Sequence, residues 1–454
     1  MVQRSELNAE FRLDAEYFQK SYIERREALD RFGTIVMGNC VTDGIHTSID
    51  YDEHSAVRLL SATSPRENYF DLSRDARMSE AAQDENPRTA LKCGDVIIST
   101  VGTIGNCAVV EEDILPANCD RHVGIIRKKN YSPYVLSTFL LSKYGRCQTD
   151  RECTGNVQLN LFVYKIKELC LPRFSQGFQI ELEKVVKNGY DRRLDAGAKY
   201  REAEEHLLKE LGFANWKPED GGASTKLFSE VAVAGRIDAE YFQPKFDKLI
   251  RLLSTCELRN LGGADGLTDM YKSIDPSSDN YGDEGVPFVR IANLSKFGIE
   301  PPEIRLPEKV CKDCCRICKD TILLTKDGSV GIAYKAETDF DMVTSGAILH
   351  LTLRDGAVDP DYLALVLNSR IVQMQAERDA GGSIIQHWKP SQIEKVKIPI
   401  LPRRMQLSLA EKVRESFRLR NESKRLLDLA KSAVELAIEK GEGTAMKQLS
   451  KSKV

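Results

Sequence analysis

The sequence predicts an α+β protein, with two duplicated mixed α/β units separated by two long antiparallel helices in a pseudo-two-fold arrangement. Three observations predict it. A near-identical octapeptide occurs twice, "RLDAEYFQ" at 12–19 and "RIDAEYFQ" at 236–243. Weaker matches then follow in the same order along both halves of the 454-residue chain. Each half closes in a long stretch whose apolar residues recur at helical spacing.

Taken in chain order, residues 5–19 align without gaps with 229–243, with nine identities in fifteen positions. "AVRLLS" at 56–61 then resembles "FVRIAN" at 288–293, which matches Arg58 to Arg290. "GDVIISTVGTIGNCAVV" from Gly94 parallels "KDTILLTKDGSVGIAYK" from Lys319, pairing Asp95 with Asp320, Gly102 with Gly328 and Gly105 with Gly331. Both read as β-branched strands running into glycine turns. "YVLSTFLLSK" from Tyr134 parallels "YLALVLNSR" from Tyr362, each an apolar helix-like run, and Gly155, Ile166 and Pro172 stand at one offset from Gly382, Ile393 and Pro399.

From Gln176 onward, Phe178, Leu182, Val185, Val186, Tyr190, Leu194, Ala203, Leu207 and Leu211 fall on one face of a long amphipathic helix. Its counterpart at 406–440 carries Leu409, Val413, Phe417, Leu427, Ala430, Val434 and Ala437. Pro172, Pro399 and Pro402 precede these helices, where a missing N–H does least harm. Gly189 and Gly197 each cost about 1 kcal/mol relative to alanine in a helix interior, which predicts a bend or break in the first helix. The turn-rich "GFANWKPEDGGAST" at 212–225 reads as the link to the second unit. The resulting division is a first unit at 1–175, a helix at 176–214, a second unit at 215–404, a helix at 405–440 and a flexible tail at 441–454. About 36 helical residues span roughly 54 Å, so antiparallel packing of the two helices is expected to put the units at opposite ends. That geometry suits a partner that repeats itself, such as DNA with half-sites about 34 Å apart.

Composition bounds the function. The chain is 42% hydrophobic and 29% charged, with no apolar run near the roughly 18–20 residues of a membrane span. "MVQRSELNAEF" lacks the apolar stretch of a signal peptide, so the expected location is cytoplasmic, with the twelve cysteines reduced. A net charge of -3 neither demands nor excludes a polyanionic partner.

No GxGxxG after a strand, phosphate loop, HExxH or GxSxG is present. "DPDY" at 359–362 is similar to an amino-methyltransferase tetrapeptide but has Asp in place of Pro at its third position, so no catalytic residue is expected there. "CKDCCRIC" offers Cys311, Cys314, Cys315 and Cys318 as a weak zinc candidate; its two CxxC pairs interleave within eight residues, where structural sites place a longer loop between pairs. The expectation is ordinary thiols and no metal. The six histidines are scattered and suggest no nucleophile. The glycine loops at 99–106 and 325–332 read as tight turns whose backbone N–H groups and hydroxyls can approach a phosphate. From Arg121 to Arg173 ten Lys or Arg residues face three acidic ones, a local basic excess.

Taken together, the duplication, the "GDVIISTVGTIG" and "KDTILLTKDGSVG" segments, the "KIKELCLPR" and "QIEKVKIPILPRR" lead-ins to long helices and the paired "DAEYFQ" openings resemble the specificity subunits of type I restriction-modification systems. The resemblance spans nearly the whole chain, although "CLPRFSQGFQ" lacks the usual double proline and acidic residue before the first helix. It implies two target-recognition domains, each reading one half of a bipartite asymmetric DNA site. It also implies a coiled-coil-like helix pair that sets their spacing and docks two methyltransferase subunits, with restriction subunits as further partners. Such a chain is non-catalytic and binds no cofactor; S-adenosylmethionine, ATP and Mg are used by the partners, for adenine methylation by the methyltransferase and for DNA cleavage and ATP-driven translocation by the restriction subunit.

The family does not fix the base-reading residues. Candidates from the glycine loops, the matched arginines and the basic stretch are Arg58, Thr100, Thr103, Asn106, Arg121, Arg127, Lys128, Arg290, Asn293, Lys326, Ser329 and Lys335. The competing reading is a non-catalytic protein scaffold with two equivalent binding domains.

Overall fold

The computed structural model describes residues 12, 14–15, 17–73, 75–155, 159–218, 222–312, 314–381 and 386–451. Position 382, paired with Gly155 above, and most of 5–19 lie outside them. Internal contacts divide the chain into unit 1, Met1–Leu194 with Arg420–Val454, and unit 2, Asp195–Leu419. No described helix is long and apolar enough to cross a membrane.

Unit 1 opens with α1 (Lys20–Phe32), and β1 (Thr34–Val36) pairs antiparallel with β9 (Cys170–Pro172). A four-stranded antiparallel sheet runs in the order β2 (Val41–Asp43), β8 (Val123–Ile126), β5 (Val96–Ser99), β6 (Cys107–Val109). A three-stranded sheet has β3 (Arg58–Leu60) between β4 (Ala76–Arg77) and β7 (Ala117–Cys119), with β3 and β7 parallel. α2 (Glu80–Glu85) is capped by Ser79, whose side chain accepts from the Ala82 N–H. α3 (Pro133–Leu141) packs on β5 and β6, α5 (Val163–Glu168) packs on β2, and α4 (Lys143–Glu152) packs on α3 and α1.

Unit 2 repeats the plan. After α7 (Phe228–Ala234) and α8 (Pro244–Leu253), β10 (Leu258–Asn260) pairs with β20 (Lys397–Pro399). The four-stranded sheet is β11 (Thr268–Lys272), β19 (Ile348–Leu353), β16 (Ile322–Thr325), β17 (Ala333–Lys335). The three-stranded sheet is β15 (Arg305–Leu306), β12 (Val286–Val289), β18 (Val343–Thr344), again with one parallel pair. The hairpin β13 (Leu294–Ser295) and β14 (Gly298–Ile299) follows β12 in the chain, and α9 (Pro360–Asn368), α10 (Arg370–Asp379) and α11 (Pro390–Ile393) follow β19. Pro133 and Pro360 occupy the first turn of α3 and α9, and both helices are buried almost all round, which is why each reads as a near-continuous apolar run.

One sequence match fails here. The Asp120 N–H donates to the Leu60 carbonyl at 3.0 Å, and the Ser345 N–H to the Val289 carbonyl at 2.9 Å, so Leu60 and Val289 are the equivalent residues. Arg58 therefore corresponds to Pro287 and Arg290 to Ser61. Matching by the shared arginine shifted the register by three, because ladder hydrogen bonds, not side-chain identity, fix a strand's place.

The long helices α6 (Gln176–Glu210) and α12 (Arg403–Lys440) each enter both units. Within unit 1, α12 supplies Leu426, Ala430, Val434 and Ala437 to the core, against Phe178, Leu182 and Val186 of α6. Within unit 2, Ala203 and Leu207 share a core with Leu409 and Val413. α6 does not break at its glycines. The Ser423 hydroxyl donates to the Gly189 carbonyl at 2.6 Å, and a Cβ at position 189 would stand 3.0 Å from Leu427 Cδ2, so glycine there admits the neighbouring helix. In unit 2 the Ser416 hydroxyl donates to the Ala196 carbonyl at 2.7 Å. The offset of 227 that aligns the halves takes Gly189 to Ser416 and Ala196 to Ser423, so each contact is the counterpart of the other.

The expected flexible tail is also corrected. Gly441 ends α12 in a left-handed turn (φ +84°), and α13 (Glu442–Lys451) follows, burying Ala445 and Leu449 in the unit 1 core. Glu442 accepts hydrogen bonds from the backbone N–H (2.7 Å) and hydroxyl of Ser175, the residue before α6.

His350 is buried in unit 2, its Nε2 2.8 Å from Thr344 Oγ1, and burial pushes its imidazolium down from 6.5 to about 4. A base whose folded value is depressed stabilises the fold fully above the unfolded value and loses that contribution as pH falls toward the folded one. Unit 2 is therefore expected to lose roughly 2–3 kcal/mol between pH 7 and pH 4.5. The two tryptophans, Trp216 and Trp388, are both in the unit 2 core, so urea unfolding followed by tryptophan fluorescence reads this unit directly. His350→Leu is expected to remove the greater part of the pH dependence.

Candidate nucleic-acid interface

In both units three backbone segments meet at one glycine turn. In unit 1, β5 enters the turn with the Ser99 N–H donating to the Asn106 carbonyl (2.8 Å) and the Gly105 N–H to the Ser99 carbonyl (3.0 Å). In unit 2 the Thr325 N–H donates to the Ile332 carbonyl (3.0 Å) and the Gly331 N–H to the Thr325 carbonyl (2.9 Å). Gly102, Gly105, Gly328 and Gly331 all have positive φ, which explains the paired glycines. A long side chain from the following helix clamps each turn from behind: Arg146 of α4 donates to the Ile104 carbonyl (2.7 Å) and to Asn106, and Gln373 of α10 donates to the Gly331 carbonyl (2.7 Å).

The second segment precedes β8 or β19. The Thr100 N–H donates to the His122 carbonyl at 3.0 Å, and the Lys326 N–H to the Ala347 carbonyl at 2.9 Å. The third follows α4 or α10. There the Leu161 N–H donates to the Thr100 carbonyl (2.9 Å) and the Trp388 N–H to the Lys326 carbonyl (2.7 Å), with isolated bridges joining Val101 to Asn160 and Asp327 to His387. Buried Leu161 and Trp388 anchor this segment beside the turn.

The repeated octapeptide holds the helix that feeds the third segment. Arg12 pairs with Asp14 (2.8 Å), and its Nη1 donates to the carbonyls of Arg151 (3.1 Å) and Cys153 (3.3 Å) at the end of α4. Arg236 pairs with Asp238 (2.7 Å) and donates to the carbonyls of Arg378 and Asp379 at the end of α10. Tyr17 and Tyr241 carry the guanidinium groups of Arg12 and Arg236 on their rings, at 4.6 and 4.8 Å. The motif thus satisfies orphan helix carbonyls in each unit. Leu13 and Glu16 of its first copy lie outside the described residues.

The junction separates the sequence candidates. Arg127 is bound to Asp95 through two bonds of 2.9 and 2.8 Å and to the carbonyls of Arg88 and Ala90, which makes it a structural tie. Lys128 donates to the carbonyls of Val36 (2.8 Å) and Met37 (2.6 Å). Lys335 is buried and paired with Asp361 and Glu337, both at 2.9 Å. Thr100 is buried, and the side chain of Asn106 is engaged by Arg146. Asn293 caps its own turn by accepting from the Arg290 N–H at 3.0 Å. Each of these side chains is buried or bonded within its own unit.

The basic stretch fares similarly. Lys143 pairs with Glu439, Arg151 donates to the Tyr17 carbonyl, Lys165 pairs with Glu152 (3.2 Å) and Arg173 donates to the Thr34 carbonyl (2.9 Å). Its charge is largely spent inside unit 1.

Thr103, Arg121, Arg290 and Ser329 remain exposed at or beside the turns. Arg58 is half-buried and faces Asp75, whose carboxyl burial raises to about 6 despite a 2.7 Å bond from the Ser64 hydroxyl and the nearby Arg58 charge. Lys326 is largely covered, and its ammonium pairs with Asp327. Asp327 also lies 2.8 Å from His387 Nδ1; burial works to raise its carboxyl, but the bonds from Lys326 and His387 hold it below the usual range.

Sequence reasoning passed over His387 as one of six scattered histidines and did not single out Asp327. The signal available was the offset of 227, which places His387 opposite Asn160. It also passed over Leu159, Phe162 and Tyr164, exposed on the third segment of unit 1, where Phe162 and Tyr164 stack at 5.9 Å.

"DPDY" has a structural role. Asp359 caps α9 by accepting from the Asp361 N–H at 3.0 Å, and Arg414 of α12 binds both carboxylates. In "CKDCCRIC", the Cys314 and Cys318 thiols donate to the carbonyls of Val310 and Arg316, and no described group of three or more ligand-type residues could hold a metal ion. Asp313 lies outside the described residues. All twelve cysteines are free thiols.

No family model matches the chain, and no curated protein matches it. Among solved structures it is similar to the S subunit of a type I restriction-modification system from M. genitalium, at 12% identity over 92% of this chain and 95% of that one, with a TM-score of 0.37. It is similar to a chain from a structure of complex assembly and conformational transition in the type I R-M system, at 14% identity over 90% and 97%, TM-score 0.30. It is also similar to the HsdS subunit from Thermoanaerobacter tengcongensis, at 16% identity over 90% and 96%, TM-score 0.29.

Proposed function

We propose that this chain is the DNA sequence-recognition subunit of a type I restriction-modification complex. In this reading it is non-catalytic and acts in the cytoplasm. Each unit reads one half of a bipartite, asymmetric site, while methyltransferase and restriction subunits dock on the chain and bring S-adenosylmethionine, ATP and Mg chemistry with them. The observation that carries the reading is the glycine-turn junction, built twice in one hydrogen-bond register but faced with different residues. A reader of two unlike half-sites needs equal scaffolds with unequal surfaces, since backbone contacts position a protein on DNA and side chains at base edges specify.

The test is a gel-shift competition of the chain, alone and with its co-encoded methyltransferase, against a randomised duplex pool. Enrichment of a split motif supports the reading, and affinity is expected to fall with salt as phosphate contacts are screened. Absence of any sequence preference in both settings would sink it.

A protein scaffold is the second reading. The observation favouring it is a strip of unit 2 where Leu227, Phe228, Val233 and Ile237 are 70–90% exposed. Stable protein partners on both units with no DNA binding at low salt would establish it instead.

A further inference from the structure

At the position where unit 1 places Val101 against Asn160, unit 2 places Asp327 against His387. The bonds from Leu161 to Thr100 and from Trp388 to Lys326 are equivalent in the two units, as are the Thr154–Asn160 and Gly381–His387 pairs, and unit 2 has in addition a bond from the Gly328 N–H to the Gln386 carbonyl at 2.9 Å; the side chains at the bridge differ in chemistry. Asp327 is held by the largely covered Lys326 and accepts from His387 Nδ1 at 2.8 Å. An ionised carboxylate can only accept, so His387 donates to it from Nδ1, and the imidazole form of the ring then presents Nε2 as an acceptor. The His387 side chain is 62% exposed, and among the described residues Nε2 has no partner. The ring is held by Asp327 and exposed to solvent beside the turn that carries exposed Ser329.

We propose that His387, positioned by Asp327, reads a base pair in the half-site of unit 2, with Nε2 accepting a hydrogen bond from an exocyclic amino group in the major groove. The proposal rests on the DNA-recognition reading above. The groups that match an acceptor there are cytosine N4 and adenine N6, and the motif itself distinguishes them. Asp327 is a positioning residue: it sets the tautomer and the ring orientation. Unit 1 lacks this acceptor pair, and its third segment offers Phe162 and Tyr164 instead. The two halves of the target are therefore read by different chemistry.

The experiment uses the complex of the full chain with its methyltransferase and reads the modified motif by single-molecule methylation sequencing. His387→Ala is expected to relax one cytosine or adenine position in one half, with a ten- to hundredfold loss of discrimination there and the other half unchanged. Asp327→Asn is expected to relax the same position less, and Phe162→Ala is expected to leave it intact. Thermal unfolding reports on folding, and the His387 and Phe162 variants are expected to match the parent because both side chains are exposed. His387→Gln, which retains an acceptor, is expected to recover part of the preference. An unchanged motif in His387→Ala overturns the proposal, as does weakening spread evenly over all sites, which marks a phosphate contact. A parent complex with no split motif overturns the recognition reading itself, and this proposal with it.

Discussion

Lys335→Ala is expected to destabilise unit 2 by about 3 kcal/mol while leaving the salt dependence of DNA binding unchanged. The Lys335 ammonium, 10% exposed, lies 2.9 Å from Asp361, itself only 5% exposed, and 2.9 Å from Glu337. Burial alone would lower the lysine, yet the bonds from Glu337 and Asp361 hold it above its ordinary value. Removing one partner of such a cluster leaves carboxylate charge uncompensated in a poorly hydrated site, which costs about 3–5 kcal/mol. Arg414 still binds Asp361 at 2.7 Å, which places the loss at the lower end. The check is the urea midpoint by tryptophan fluorescence, with exposed Arg290→Ala expected within about 0.5 kcal/mol of the parent. A variant that unfolds like the parent but binds DNA more weakly would return Lys335 to the DNA-binding surface.

The second large effect lies in the helix pair. Gly189→Leu is expected to destabilise unit 1 by about 1–3 kcal/mol, because its Cβ alone meets Leu427 at 3.0 Å and Leu426 at 3.4 Å. Gly197→Ala is expected to stabilise by about 1 kcal/mol, since the only atom near its Cβ is Arg201 Nη1 at 3.4 Å, the mobile end of a long side chain. Two glycines on one helix thus give opposite signs, one serving close approach and the other paying only the helix-propensity cost. Gly189→Leu should move the melt seen by circular dichroism without moving the tryptophan transition, because both tryptophans lie in unit 2. Equal stabilisation at the two positions would contradict the close contact at Gly189.

The α+β architecture was legible because duplication doubles every local signal. The glycine turns, the prolines ahead of helices and the 3.6-residue apolar period each appear twice in one order. The α13 helix was missed because Gly441 reads as a terminator, and it does end α12; only Ala445 and Leu449, one turn apart, hinted at a further buried face. Charged candidates were the least legible. Arg127 looks available in sequence, but Asp95, 32 residues earlier, occupies it, and no local pattern reports a contact of that separation. Conversely, His387 looks incidental until the ladder places it against Asp327. Side-chain roles at this junction follow from the register of three distant segments, which residue type alone does not encode.

The most direct test of the central claim is single-molecule methylome sequencing of cells expressing this chain with its co-encoded methyltransferase, compared with cells lacking the chain. The account predicts a new split motif, with two specified halves of different sequence, a fixed gap and modification on both strands. A new motif that is continuous or palindromic would contradict it, because two units with unlike faces at the same turn would then be reading one kind of site.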